Sequence, residues 1–417
     1  MADKAYQITL DGDAVDDAFY DDVVSLTVDE STTDPTSFHL RLATSKRDDG
    51  SWPHLDDPRF ALFNPVSIQI GFTGGGGVLE ALGNLLSGGG NDGLEPVFDG
   101  YITGVEVTLG SEPDNAFIDV SGMDACVLMS LEEKIATWKD LADSDIVKQI
   151  VGGGYGLTIQ VDATPTVHQQ NDTTIVQRGT DLQFVRELAR RNGLEFYVET
   201  DKASESVIAY LRTPQVDGTP QPDLAIQFGD DSNLRRFTVR LSGQRPLSVR
   251  AEQIDVKTNR PNRAQVSATQ LATLGADDAD VLIGGPLASL VTPKDARAQT
   301  LVLGPPTSDP TELQTLAQSV RDEASWLISA EGEVNGDAYG CALRPRRPVL
   351  VKGAGIYDGR YYVTRVRHEL VGDGTYTQAF EARRNARDVD GSEPFGDDGL
   401  AAAVAGLTPP VILGLAR

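Results

Sequence analysis

Two stretches of this chain repeat one another, and a chain that repeats a pattern at this distance is expected to fold the same unit twice. The first runs from Pro65 as PVSIQIG and, after a Gly-rich insert, continues as VFDGYITGVEV from Val97 to Val107. The second runs from Pro348 as PVLVKGAG and continues as IYDGRYYVTRVRH from Ile356 to His368. Both open a strand on Pro-Val and pass through aromatic-Asp-Gly, at Phe98-Asp99-Gly100 and Tyr357-Asp358-Gly359. Both then enter a strand carrying Ile/Val-Thr-x-Val, at Ile102 to Val105 and Val363 to Val366. Asp-Gly predicts a tight turn at each site, because Gly accepts a positive φ and Asp bonds its own backbone.

Periodicity around the first copy is that of a sheet. Tyr6 to Leu10 and Val23 to Val28 read as strands. Phe38, Leu40 and Leu42 alternate with His39 and Arg41, and Val66, Ile68, Ile70 and Phe72 keep the same period of two. Phe117 to Ser121 adds a further strand. These place a β-rich domain over residues 1–120, with the insert at 74–93.

From 121 to 223 the pattern becomes mixed α/β. Asp143 or Ser144 is expected to cap a short helix bearing Ile146, Val147 and Ile150, ending in Gly152-Gly153-Gly154. Thr180-Asp181-Leu182-Gln183 is a capping box, after which Leu182, Val185, Leu188 and Ala189 form an apolar stripe and Gly193 stops the helix. A strand with Leu194, Phe196 and Val198 on one face follows, and pairs with Ser206 to Leu211. From 224 to 387 the chain returns to β with one helix over 309–329, begun by Ser308-Asp309-Pro310 and striped by Leu313, Leu316, Ala317, Val320, Ala324 and Leu327. Residues 388–417 form an Asp/Gly-rich linker and an apolar tail. The fold class is thus α+β, mainly β, with two look-alike β units and a small mixed domain between them.

Acidic residues outnumber basic ones by 62 to 36, a net charge of -26, and that field opposes both phosphate backbones and anionic lipid. Nucleic-acid binding is therefore not expected. Cys126 and Cys341 are the only cysteines, too few for a disulfide framework, and read as buried thiols of a protein made in a reducing compartment. No apolar run reaches spanning length and no signal-peptide core stands at the N-terminus, so a soluble protein is expected.

Catalytic signatures are missing from the pattern. His39, His54, His168 and His368 are scattered, with no HExxH and no Cys/His cluster. There is no G-x-S-x-G elbow, and the Gly runs at 74–77, 152–154 and 353–355 complete no phosphate-binding loop. Neither a catalytic residue, a metal ligand set nor a cofactor site is assigned.

Three further stretches carry a family likeness. LADSDIVKQIVGGGYGLTIQV (Leu141 to Val161), TIVQRGTDLQFVRELARRNGLEFYVE (Thr174 to Glu199) and GRYYVTRVRHELVGDGTYTQAFEARRN (Gly359 to Asn385) resemble the phage late control gene D family. That family comprises the baseplate hubs of contractile tails and the hub half of VgrG-type spikes. Gln177, Asp181, Phe184, Leu188, Gly193 and Phe196 match its most recognisable run, and Tyr361, Val363, Val366, His368, Tyr376 and Phe380 its closing hairpin. One departure stands out: Arg346-Arg347 occupies the place of a glycine expected after Leu343-Arg344-Pro345.

The resemblance implies two tube-like antiparallel β-barrels per chain, assembled as a trimeric, pseudo-six-fold ring. It implies a non-enzymatic symmetry adaptor between a six-fold inner tube and a three-fold spike. The expected partners are two further copies of this chain, the inner tube protein, a separate spike and other baseplate proteins. Such a hub is assembled in the cytoplasm and becomes part of a virion or phage-tail-like particle. The rival readings are a tail-tip cell-wall hydrolase, and an acidic β-rich module that binds glycan or receptor.

Two apolar segments are candidate partner contacts. Val78, Leu79, Leu82, Leu85 and Leu86 fall on one side of a short helix between flexible glycines, expected to dock on a neighbouring hub or tube subunit. Val411, Ile412 and Leu413 in the tail are expected to anchor on the spike or on the trimer itself.

Overall fold

The computed structural model describes residues 6–71, 94–110, 115–171, 174–201, 204, 206–255, 257–290, 299–303, 309–372 and 374–391. Its first strands are β1 (Tyr6–Leu10), β2 (Asp13–Ala14), β3 (Val23–Ser31), β4 (Ser37–Ala43), β5 (Pro65–Gly71), β6 (Leu94–Thr108) and β7 (Phe117–Asp124). Alternation decides which face is buried. Phe38, Leu40 and Leu42 of β4 and Val66, Ile68 and Ile70 of β5 all point into one core, which Leu10, Leu26 and Ile102 complete. Each such side chain contributes about 1.5–3 kcal/mol by leaving water.

The middle of the chain holds β8 (Glu133–Trp138), β9 (Leu141–Ala142), β10 (Thr158–Val161), β11 (Val167–His168), β12 (Ile175–Thr180), β13 (Glu195–Asp201) and β14 (Ser206–Arg212). Its principal helix, Asp181–Arg191, starts at the capping box read from the sequence, with both reciprocal hydrogen bonds of Thr180 and Gln183 formed. Leu182, Val185, Leu188 and Ala189 bury its inner face against Ile146, Phe196 and Leu211. Gly193 follows at φ 68°, where a side chain would be strained. The short helix Asp143–Lys148 departs from expectation: neither Asp143 nor Ser144 caps it, and the cap position falls to Ala142 with no side-chain bond. The Asp143 carboxylate is instead held by His168 and Arg191.

The last strands are β15 (Gln221–Ala225), β16 (Leu234–Leu241), β17 (Ser248–Ile254), β18 (Pro261–Val266), β19 (Gln299–Leu303), β20 (Ile328–Asn335), β21 (Pro348–Lys352), β22 (Gly359–Val371) and β23 (Tyr376–Arg384). Asp309 caps the helix Pro310–Ala324, whose Leu313 and Ala317 pack on Val249 and Ala251 of β17; it ends short of the expected 329, because Leu327 instead joins the core of the second β unit just before β20.

The two copies of the sequence pattern fold with one topology. Spatial order is β3-β4-β7-β6-β5-β1 in the first unit and β16-β20-β23-β22-β21-β15 in the second. In both, the second and third strands of the unit come first, then the sixth, fifth, fourth and first. The irregularities coincide too. The β6–β7 ladder skips Thr103 and the β22–β23 ladder skips Thr364, the same residue of the repeated motif. The β3–β4 ladder skips Val24 and the β16–β20 ladder skips Arg235. Bulges set strand twist and register, so four matching bulges mean matching curvature. Two pairings differ: the β5–β6 ladder skips Val97 where β21–β22 is regular, and β1 meets β5 antiparallel while β15 meets β21 parallel with a register shift.

The resemblance implies two tube-like barrels; the strand pairing joins the two units edge to edge, β22 against β3, within one 13-stranded sheet. The Asp-Gly sites also diverge from expectation. Tyr357-Asp358-Gly359 turns the chain into β22, with Gly359 at φ 126°. Asp99 and Gly100, however, lie inside β6 and pair with Ser67 and Val66. Gly100 is required there by closeness, because a Cβ would sit 2.2 Å from the Met123 carbonyl oxygen.

Candidate functional site

The joint between the two units carries a network of buried charged groups. Glu30 on β3 is 1% exposed and His368 on β22 is fully buried, and their side chains meet at 3.1 Å. The other imidazole nitrogen of His368 lies 2.7 Å from the Tyr376 hydroxyl. Arg344 approaches Glu30 at 3.2 Å and also donates to the Pro96 carbonyl of the first unit. Burial opposes a charge on Glu30, but Arg344, the hydrogen bond from His368 and the nearby Arg346 hold its carboxyl below the usual range. On the outer face of the same joint Arg365 donates twice to Asp29, and Arg367 lies 3.4 Å from that carboxylate. A charge-satisfied, hydrogen-bonded ladder of this kind fixes register and orientation.

The middle region is tied to the joint. The Arg346 guanidinium stacks on Tyr197 of β13, and Tyr362 of β22 donates to Glu195. Between these pieces lies a cleft of about 360 Å³, walled by Tyr197, Tyr210, Glu199, Arg212, Arg344 and Arg347. Two of its arginines meet one carboxylate, Arg347 reaching Glu199 at 2.6 Å and Arg344 at 3.6 Å, while Arg212 donates to the Gln160 side chain.

The four histidines, scattered in sequence, each meet a carboxylate: His39 with Asp119, His54 with Asp22, His168 with Asp143, and His368 with Glu30. Among the described residues no group of three or more His, Cys, Asp or Glu is placed to hold a metal ion. Cys126 is buried, and burial pushes its thiol well up; Cys341 is only half-buried, short of the full burial expected, and is pushed up to about 11 by burial. No helix among the described residues is long and apolar enough to cross a membrane.

The eight residues singled out as partner contacts, Val78, Leu79, Leu82, Leu85, Leu86, Val411, Ile412 and Leu413, lie outside the described residues. The structure points to other positions. Among the described residues, the C-terminal half of β6 and the whole of β16 each carry a strand on one side only. Val105 and Val107 of β6 are each 40% exposed and Leu241 of β16 39%, but the β16 edge also exposes Arg235, Arg236 and Arg240. The signal for these residues was present in the duplication, since Val105 matches Val366. Reading it required the strand order, which shows the Val366 position covered and the Val105 position open.

Comparison with known proteins places the fold. A prophage MuSo2 43 kDa tail protein from Shewanella oneidensis matches at a TM-score of 0.61 and 15% identity, over 92% of this chain and 100% of that one. A tail protein from Neisseria meningitidis matches at 0.62 and 12% identity, over 91% and 96%. An Escherichia coli component of the type VI secretion system, described as structurally similar to T4 bacteriophage tail proteins gp27 and gp5, matches at 0.50 and 14% identity, over 88% and 76%. The fold is therefore that of phage tail proteins. No curated protein matches in sequence. The family model described as the Alg8 N-terminal domain matches residues 86–372, more than half of the chain. On that match, the chain belongs to the Alg8 N-terminal domain family.

Proposed function

We propose that this protein is a structural baseplate hub of a phage tail or phage-like contractile injection system, joining a six-fold inner tube to a three-fold spike. The observation that carries the reading is the repeated six-strand topology with its four matching bulges. Two equivalent units on one chain let three chains present six equivalent positions on one face and three on the other. Heterologous, head-to-tail contacts that close in this way give a ring rather than a filament. The likeness of nearly the whole chain to two tail proteins supports the same role.

In this reading the chain performs no chemistry. Its buried ion pairs serve geometry, and its acidic surface keeps passing cargo from adhering. It is assembled in the cytoplasm, and its partners are two further copies of itself, the inner tube, the spike and neighbouring baseplate proteins. The segment around Val78 to Leu86 docks on an adjoining hub or tube subunit, and Val411 to Leu413 anchor on the spike or the trimer.

The test is electron microscopy of particles purified with a tagged copy of this chain. The expected result is a three-chain ring with six look-alike lobes at the joint between tube and spike. Label found elsewhere in the particle, or absent from it, would sink the proposal.

A further inference from the structure

The cleft between the middle region and the two β units gathers positive charge on a chain whose net charge is -26. Arg212, Arg344, Arg346 and Arg347 line it, against the carboxylates of Glu95, Glu199 and Asp201. Two of those carboxylates take other donors: Asp201 accepts from the amide and hydroxyl of Ser204, and Glu95 from the Ala342 amide. Arg344 and Arg346 are spent inside the molecule, on Glu30 and on the carbonyls of Pro96 and Ser31. Arg212 and Arg347 keep capacity. A guanidinium carries five N–H donors. Arg347 is 52% exposed and donates to Glu199, while Arg212 donates to Gln160 and pairs with no carboxylate among the described residues.

Two tyrosines hold these groups in place. Tyr197 and Tyr210 stand directly opposite one another in the β13–β14 ladder, their rings stacked with centroids 5.0 Å apart. The Arg212 guanidinium covers one end of the stack, 4.1 Å from the Tyr210 ring, and Arg346 covers the other, 4.2 Å from Tyr197. With both flat faces covered, the pair offers a ligand its phenol edges and the N–H rims of the guanidinium groups, not a stacking platform. Burial pushes the Tyr197 hydroxyl up to about 12, so it stays a neutral donor. A guanidinium already stacked has less freedom to lose when a ligand arrives.

We propose that this cleft binds an acidic peptide, seating its Asp or Glu carboxylates on Arg212 and Arg347 beside the Tyr197 and Tyr210 hydroxyls. A carboxylate matches the guanidinium fork in two parallel hydrogen bonds. Phosphate is the poorer guest, because its second negative charge would stand beside Glu199 and double the repulsion there. A long polyanion is opposed by the acidic surface of the chain, whereas a short peptide meets only the basic cleft. At about 360 Å³ the cleft is on the scale of sites that take small ligands. Pro96 comes from the first β unit, Tyr197 from the middle region and Arg347 from the second β unit, so a bound segment bridges all three. The site belongs to the single chain and is independent of the hub reading.

The experiment is calorimetric titration of the full chain at low salt with a capped tetra-glutamate peptide, against a capped tetra-glutamine peptide and inorganic phosphate. Saturable binding at a single site per chain is expected for the glutamate peptide, with neither control filling that site. Arg212→Gln and Arg347→Gln are each expected to weaken binding about tenfold, as for the loss of a charge-assisted hydrogen bond. Arg240→Gln, on the exposed edge of β16, should leave it unchanged. Arg212→Lys and Arg347→Lys keep the charge and lose the fork, so they should fall between wild type and the Gln variants. If a Gln variant fails to fold, its Lys counterpart decides, and undiminished binding there counts against the site. No saturable binding, an equal loss in Arg240→Gln, or equal filling by tetra-glutamine overturns the proposal. Displacement of the peptide by phosphate at equal concentration overturns the preference for carboxylates.

Discussion

Arg346 lies with its guanidinium carbon 4.2 Å from the centre of the Tyr197 ring, while one terminal nitrogen donates to the Ser31 carbonyl of β3. One side chain thereby touches both β units and the region between them. Its own backbone sits at φ 64°, at the position where the family resemblance expects glycine. The side chain thus holds the molecule together at the expense of local strain.

Replacing Arg346 with Ala is expected to lower stability by about 3 kcal/mol, because it strips a partner from buried Glu30 and uncovers Tyr197. Arg346→Gly should be about 1 kcal/mol less harmful than Arg346→Ala, since glycine adopts the left-handed conformation freely. Denaturant unfolding of the two variants checks both statements. If Ala proves as stable as Gly, the strain assigned here is not present.

Acid should loosen the middle region through Asp143. Burial alone would raise its carboxyl from the ordinary 3.8, but hydrogen bonds from His168 and Arg191 outweigh burial and bring it to about 2. A carboxyl that releases its proton more readily when folded stabilises fully above the unfolded value, and that contribution fades as pH falls through the folded one. The loss between about pH 4 and pH 2 should be roughly 2 kcal/mol. Asp143→Asn should be less stable at neutral pH and should flatten this limb of the urea midpoint against pH. An unchanged slope would remove Asp143 from the account.

Gly122 should tolerate nothing larger. A Cβ there would lie 2.2 Å from the Phe38 ring and 2.4 Å from the Tyr101 carbonyl oxygen. Gly122→Ala is expected to cost about 2 kcal/mol or more through displaced strands. Gly153, with no heavy atom within 4 Å of its Cβ position, should accept Ala with a gain of about 0.5 kcal/mol. Thermal melts of the pair test the contrast, and equal melting temperatures would refute it.

The capping box offers a smaller effect. Thr180→Ala should destabilise by about 1 kcal/mol, because the Gln183 amide loses its acceptor, while Thr180→Ser should stay near wild type. Hydrogen exchange of the first-turn amides would report the loss directly. Equal protection in the Ala and Ser variants would count against it.

Local pattern made much of this legible. The alternation of β4 and β5, the capping box and the Asp309-Pro310 helix start are all dictated by neighbours in sequence, and the structure forms each of them. Asp143 does not cap its helix, because its partners, His168 and Arg191, come from distant segments. Gly100 is not a turn residue, because its constraint is the Met123 backbone on a neighbouring strand. The open edges of β6 and β16 are legible only once strand order is known, since a strand's sequence does not say how many neighbours it has.

The units part company in strand direction at the rim, where β1 runs against β5 and β15 runs with β21. Anything gripping that border meets two unlike backbones on every molecule, one offering its amides in opposed pairs and the other in a slanted series. A ligand reading the shared inner strands tallies repeats, whereas a ligand reading this border tallies polypeptides.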